Sequence, residues 1–137
     1  VLGFFYVPSI FNNFQQFDAS AWTALDRLEG QMKRVGFLLQ VKKDKIDEYK
    51  KHHEAVWPEM LDALRRNGWH NYSLFLRDDG LLFGYFEAAE SFKASLEGMA
   101  QEDINAKWQE FMGPYFEAID GRPDQNMVEL EEVFHTD

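Results

Sequence analysis

The sequence predicts an α+β fold, a four-stranded antiparallel sheet with helices packed on one face. Two observations lead there. From Met32 onward the spacing of apolar residues switches repeatedly between a period of two and a period near 3.6. The switches run in the order strand, helix, hairpin, helix, strand, which is the split βαβ arrangement of ferredoxin-like domains. A third observation concerns the face such a fold leaves bare. Aromatic residues make up 16% of the chain, more than one small core needs. An apolar sheet face without helices is usually covered by a second copy of itself. The sequence therefore also predicts a homodimer, sheet facing sheet or edge joined to edge.

Val35, Phe37, Leu39 and Val41 alternate with smaller or polar residues, the pattern of a strand with one buried face. Asp44 has the chemistry of a helix cap, and helical spacing then runs to about Asn67, where Gly68 supplies the stop. Pro58 lies inside this stretch. Its missing N–H predicts a kink, or a second helix with Pro58 in the first turn. Residues 69–77 (WHNYSLFLR) place Tyr72, Leu74 and Leu76 on one face of a strand. The Asp78-Asp79-Gly80 turn joins it to the apolar run LLFGYFEA as an antiparallel hairpin. Residues 90–100 and 104–119 have helical spacing, the second broken or bent at Gly113-Pro114. Residues 120–126 (DGRPDQN) form a loop. Residues 127–135 form a last strand, with a bulge expected where Glu131 and Glu132 interrupt the alternation.

Residues 1–31 differ in texture, being rich in Phe, Asn and Gln with weak periodicity. They read as an N-terminal extension ahead of a domain spanning residues 32–137, leaving open whether the extension belongs to the native domain. Within it, residues 19–29 (ASAWTALDRLE) predict a short helix with Ser20 as its N-cap. The apolar start VLGFFYVPSIF lacks the basic region and cleavage site of a secretion signal. No segment approaches the roughly 20 apolar residues that a membrane-crossing helix needs. A cytoplasmic protein is expected.

At 137 residues the chain has room for one domain with a real core, since 45% of it is hydrophobic. It has no cysteine, which excludes disulfides, thiolate catalysis and cysteine zinc sites. A net charge of −10 without any basic stretch argues against nucleic acid or an anionic membrane as partner and suits a neutral small molecule. Gly80, Gly84, Gly98 and Gly113 are scattered rather than gathered into a phosphate loop. No nucleophile elbow is present. Adjacent His52 and His53 diverge on a helix, and His70 and His135 fall in separate strands, so no metal and no cofactor are expected.

The stretch EYKKHHEAVWPEM holds the chemistry. Ile46, Tyr49, His53, Val56, Met60 and Leu64 share one helical face. His53 lies on this apolar face one turn after Tyr49. His52 points about 100° away among Lys50, Lys51 and Glu54, where solvent is expected. A histidine on an apolar face is either a core residue with satisfied nitrogens or a proton carrier lining a pocket. Tyr49, Tyr72 and Trp108 fit both readings, as packing residues or as hydroxyls and an indole plate facing a ligand.

Together, EYKKHHEAVWPEM, HNYSLFL, LLFGYFE, AKWQEFM, PDQN and LEEVFH resemble the L-rhamnose mutarotase family over nearly all of residues 32–137. The combination Tyr-x-x-x-His-x-x-x-Trp-Pro-Glu with Asn-Tyr is specific. The resemblance implies a dimeric α+β barrel and interconversion of the α and β anomers of a free 6-deoxyhexose, L-rhamnose first, without metal or cofactor. It implies that His53 is the catalytic proton donor and that Tyr49, Tyr72 and Trp108 bind the sugar. The family's best-known form has two consecutive tryptophans where this chain has Trp108 and Gln109. Gln109 offers hydrogen bonds in place of an apolar wall, so the preferred sugar can differ.

The implied mechanism has His53, as imidazolium, protonating the ring oxygen while a water or a tyrosine-bound base takes the anomeric proton. Burial would lower the pKa of His53, whereas a carboxylate such as Glu54 or Glu59 would raise it. Two rival readings use the same scaffold: a non-catalytic dimeric domain that binds a small ligand, and an oxygenase of the dimeric α+β barrel type.

Overall fold

Strand β1 (Lys33–Gln40) turns Val35, Phe37 and Leu39 inward, as the alternation requires. In this computed structural model, which describes residues 32–137, β1 lies within a four-stranded antiparallel sheet. Its neighbours are β3 (Leu81–Ala88) on one side and β4 (Val128–Leu130) on the other, and β2 (Trp69–Leu76) pairs with β3. The order is β2-β3-β1-β4. Four helices pack on the inner face: α1 (Ile46–His53), α2 (Pro58–Arg66), α3 (Phe92–Ala100) and α4 (Asp103–Met112). The split βαβ order holds, with each helical limb broken in two. The extension over residues 1–31 and its helix at 19–29 lie outside the described residues.

Pro58 makes the first break. A residue before proline is pushed out of the helical region, and Trp57 is extended at φ −57°, ψ 132°. Helix α2 then starts with Pro58 in its first turn, where a missing N–H costs nothing. Helix α1 ends at His53. Asp44 does not cap α1. It lies in the 3-10 turn Lys43–Lys45, and neither that turn nor α1 has a side-chain cap. Gly68, at φ 78°, terminates α2 in the left-handed conformation.

In the second limb Ser91 accepts the N–H of Ala94 at 3.0 Å, so α3 begins at Phe92. Helix α4 stops at Met112 because Gly113 and Pro114 open a 3-10 turn. Phe116 then bridges to Val41, well short of the helix expected to run to residue 119.

The bulge lies in β2 and not in β4. The β2–β3 register shifts between His70 and Ser73, and Asn71 has φ 47°. The extra residue brings Trp69 to the same face as Tyr72, Leu74 and Leu76 despite the odd spacing. Strand β4 is shorter than expected. Glu132, beyond it, takes a two-pronged ion pair from Arg34, with Nε at 2.9 Å and Nη2 at 2.8 Å.

Aromatic rings fill one end of the core. Trp69 stacks on Phe86 with centroids 3.9 Å apart, and Phe37 meets Trp69 edge-on at 6.3 Å. Phe37 pairs across the sheet with Gly84, and its ring occupies the space a side chain there would need. Gly84→Ala should therefore lower the unfolding free energy by about 1–3 kcal/mol through overpacking. A urea titration with an unchanged slope would read this directly.

Candidate active site

Beside the aromatic block, helices and sheet leave a cavity of about 330 Å³, at the small end of the range for ligand pockets. Leu39, Leu74 and Leu82 form its floor from the sheet, and Met60, Leu64 and Met112 close it from the helices. Polar groups enter from two sides. Tyr49 and His53 come from α1 and Tyr72 from β2; Asn105 and Gln109 come from α4 and Asp124 from the following loop.

Three contacts hold the His53 ring. Its Nδ1 donates to the Tyr49 carbonyl at 3.0 Å. A carbonyl only accepts, so Nδ1 carries the hydrogen and Nε2 keeps its lone pair in the neutral ring. The ring stacks on Tyr49, 4.2 Å between centroids and 28° between planes. It also meets Trp108 edge-on at 5.6 Å. Burial pushes the pKa of His53 below its ordinary value, against the upward pull of the Tyr49 carbonyl, and neighbouring His52 lowers it further. Neither Glu54 nor Glu59 enters this balance. Of the two influences that the sequence left open, burial is thus the larger, and it favours the neutral imidazole.

Tyr49 and Tyr72 both line the cavity, and burial raises the pKa of each phenol well above its ordinary value. Both stay protonated and able to donate. No fully buried side-chain nitrogen or oxygen among the described residues lacks a partner. Neither phenol is bonded to another described residue, and both residues line the cavity. Trp108 is buried between His53 and Trp57, the latter edge-on at 5.0 Å.

His52 is not a solvated surface residue. Its Nε2 lies 2.8 Å from the Tyr115 hydroxyl, and its ring meets Phe111 edge-on at 4.7 Å. It ties α1 to the end of α4, outside the cavity. Among the described residues, no three His, Asp or Glu side chains are grouped to hold a metal ion. No helix there is long and apolar enough to cross a membrane.

Gln109 reaches the cavity with much of its amide already engaged. Its Nε2 donates to Asn105 Oδ1 at 3.0 Å, and its Oε1 accepts the Asp124 N–H at 3.0 Å. Asn105 closes the ring through Nδ2, which donates to Asp124 Oδ2 at 2.9 Å and to the Met99 carbonyl at 3.0 Å. Arg122 clamps the same carboxylate, Nε to Oδ1 at 3.1 Å and Nη2 to Oδ2 at 3.0 Å. The sequence reading missed Asn105 and Asp124. The available signal was a pair of amides four residues apart on the buried side of α4.

Known proteins match this chain in sequence and in fold. The family model described as L-rhamnose mutarotase matches residues 34–136. The L-rhamnose mutarotase of Oceanobacillus iheyensis is 45% identical over 109 residues, covering 77% of this chain and 100% of that protein. That of Bacillus subtilis is 37% identical over 108 residues, again covering 77% and 100%. The crystal structure of an L-rhamnose mutarotase from Formosa agariphila superposes with a TM-score of 0.63 at 28% identity, covering 77% of this chain and 99% of the other. With the family model matching most of its length and relatives matched end to end, the chain belongs to the L-rhamnose mutarotase family.

Proposed function

We propose that this protein interconverts the α and β anomers of free L-rhamnose in the cytoplasm, with His53 moving the proton. The observation that carries the reading is a neutral imidazole lining the cavity, with its Nδ1 engaged and its Nε2 available. The relatives named for this activity favour it over a passive ligand-binding domain or an oxygenase. The sugar lies against Trp108 with the phenols of Tyr49 and Tyr72 donating to its oxygens. Nε2 takes the proton of the anomeric hydroxyl as the bond from C1 to the ring oxygen breaks, leaving an aldehyde. The imidazolium so formed gives that proton to the departing ring oxygen, which stays on C5 and becomes a hydroxyl as C1 becomes the aldehyde carbon. The open sugar turns about C1–C2, and the reverse transfers close it as the other anomer.

His53→Asn should cut the acceleration of anomer exchange by about 10²–10⁴-fold without unfolding the protein, as read by saturation-transfer NMR on L-rhamnose. Full activity in that variant would refute the assignment. His52→Ala should keep its exchange activity while losing about 1 kcal/mol of stability with the Tyr115 bond.

The pH dependence follows from the lowered pKa. Neutral imidazole persists through neutral pH and disappears only as pH falls through a value below the ordinary 6.5. Once the uncatalysed rate is subtracted, catalysis should be level across neutrality and should fall on the acid side with a midpoint under 6.5. A rise on acidification would mean that the imidazolium is the working form.

We also propose a homodimer through the outer face of the sheet. Phe75 is 59% exposed there and lies 6.1 Å from Phe83, and Val133 and Phe134 beyond β4 are 87% and 80% exposed. Apolar side chains gathered this way are the mark of an interface. Light scattering should give a dimer mass for the wild type and a monomer mass for Phe75→Lys, and a monomeric wild type would end the proposal.

A further inference from the structure

The ring formed by Asn105, Gln109, Asp124 and Arg122 takes no part in proton transfer, yet three of its members line the cavity. A sugar entering that cavity exchanges water for protein at every hydroxyl, and each buried hydroxyl left without a partner costs about 1–3 kcal/mol. His53, Tyr49 and Tyr72 serve one side of the ligand. On the other side the remaining walls are mostly apolar, so the ring is the source of polar contacts there.

The acceptor count identifies the free position. A carboxylate offers about four lone-pair sites. Among the described residues, Asp124 Oδ2 accepts from Asn105 and Arg122, whereas Oδ1 accepts only from Arg122 Nε. One site on Oδ1 remains. Its charge is balanced by Arg122 alongside, so the pair suits a neutral polyol rather than a cation. The loop that carries it is tied down. Asn126 Nδ2 donates to the carbonyls of Asp120 at 2.9 Å and Arg122 at 2.8 Å, and Gln125 Oε1 accepts the Arg122 N–H at 3.0 Å. Gln109 anchors the loop to α4 through the Asp124 N–H. The acceptor is thus held before the ligand arrives, which limits the ordering cost of binding.

We propose that Asp124 is a substrate-binding residue that accepts one sugar hydroxyl at Oδ1, and that Gln109 is the positioning residue that holds it at the cavity wall. The proposal rests on the mutarotase reading. It gives Gln109 a task other than direct contact with the sugar. Recognition by Asp124 sets which hydroxyl pattern the enzyme favours, while His53 does the chemistry at C1.

The experiment is saturation-transfer NMR with L-rhamnose and its monodeoxy analogues, each lacking one hydroxyl away from C1. In the wild type one analogue should show a KM raised about tenfold or more, because its partner is left unpaired. Asp124→Asn should raise KM for L-rhamnose about 10–100-fold with kcat changed less than about threefold, and should erase the penalty of that one analogue. Gln109→Leu keeps the carboxylate but frees it, so KM should rise about 3–10-fold and the analogue penalty should shrink. An unchanged KM and unchanged analogue pattern in Asp124→Asn would overturn the proposal, as would a fall in kcat alone. If Asp124→Asn does not fold by circular dichroism, Gln109→Leu decides: a shrunken penalty supports the assignment and an intact one overturns it. A wild type that fails to speed L-rhamnose exchange would instead sink the mutarotase reading, and this proposal with it.

Discussion

The hydrogen bond from His53 Nδ1 to the carbonyl of Tyr49 determines which nitrogen of the ring can do chemistry. It selects the tautomer, turns the imidazole flat against the Tyr49 ring and directs the basic nitrogen away from the helix. The bond exists because both residues stand one turn apart at the end of a short helix. Pro58 ends that helix by denying Trp57 a helical backbone. Burial then keeps the ring neutral. A ring held this way keeps the lone pair of Nε2 free.

The cavity combines two different kinds of wall. Leucines and methionines exclude water from the floor and roof, which strengthens each polar contact made inside. The buried polar residues are tolerated because they satisfy one another. Gln109 and Asn105 are each bonded at both ends of the amide, and the Asp124 carboxylate has an arginine beside it. A glutamine in place of a second tryptophan thus changes the wall in kind. An indole would fill space, whereas the amide ties a loop to a helix and brings a carboxylate to the pocket.

The sheet contributes through an irregularity. Without the extra residue near Asn71, Trp69 and Tyr72 would project to opposite faces. The bulge sends both inward, where Trp69 packs against Phe86 and Tyr72 presents its hydroxyl to the cavity. A stacked core residue and a cavity-lining tyrosine then come from one strand. The outer face keeps an exposed Phe75 beside a half-buried Phe83.

Local rules written in the sequence determined the element types and their order. Alternation marked β1, the helical spacing placed Tyr49 and His53 on one face, Gly68 ended a helix, Gly113-Pro114 marked an interruption in another, and the turn at Gly80 closed the hairpin. The motif residues also marked the family. Other features depended on contacts between residues distant in the chain, and no local pattern encodes those. The length of β4 was decided by pairing with β1, and His52 was drawn from solvent by Tyr115, 63 residues away. The protonation state of His53 was decided by how much protein surrounds it. The ring of Asn105, Gln109 and Asp124 formed only when the loop folded back on α4, because the donors and acceptors of a buried network find one another in space and not along the chain.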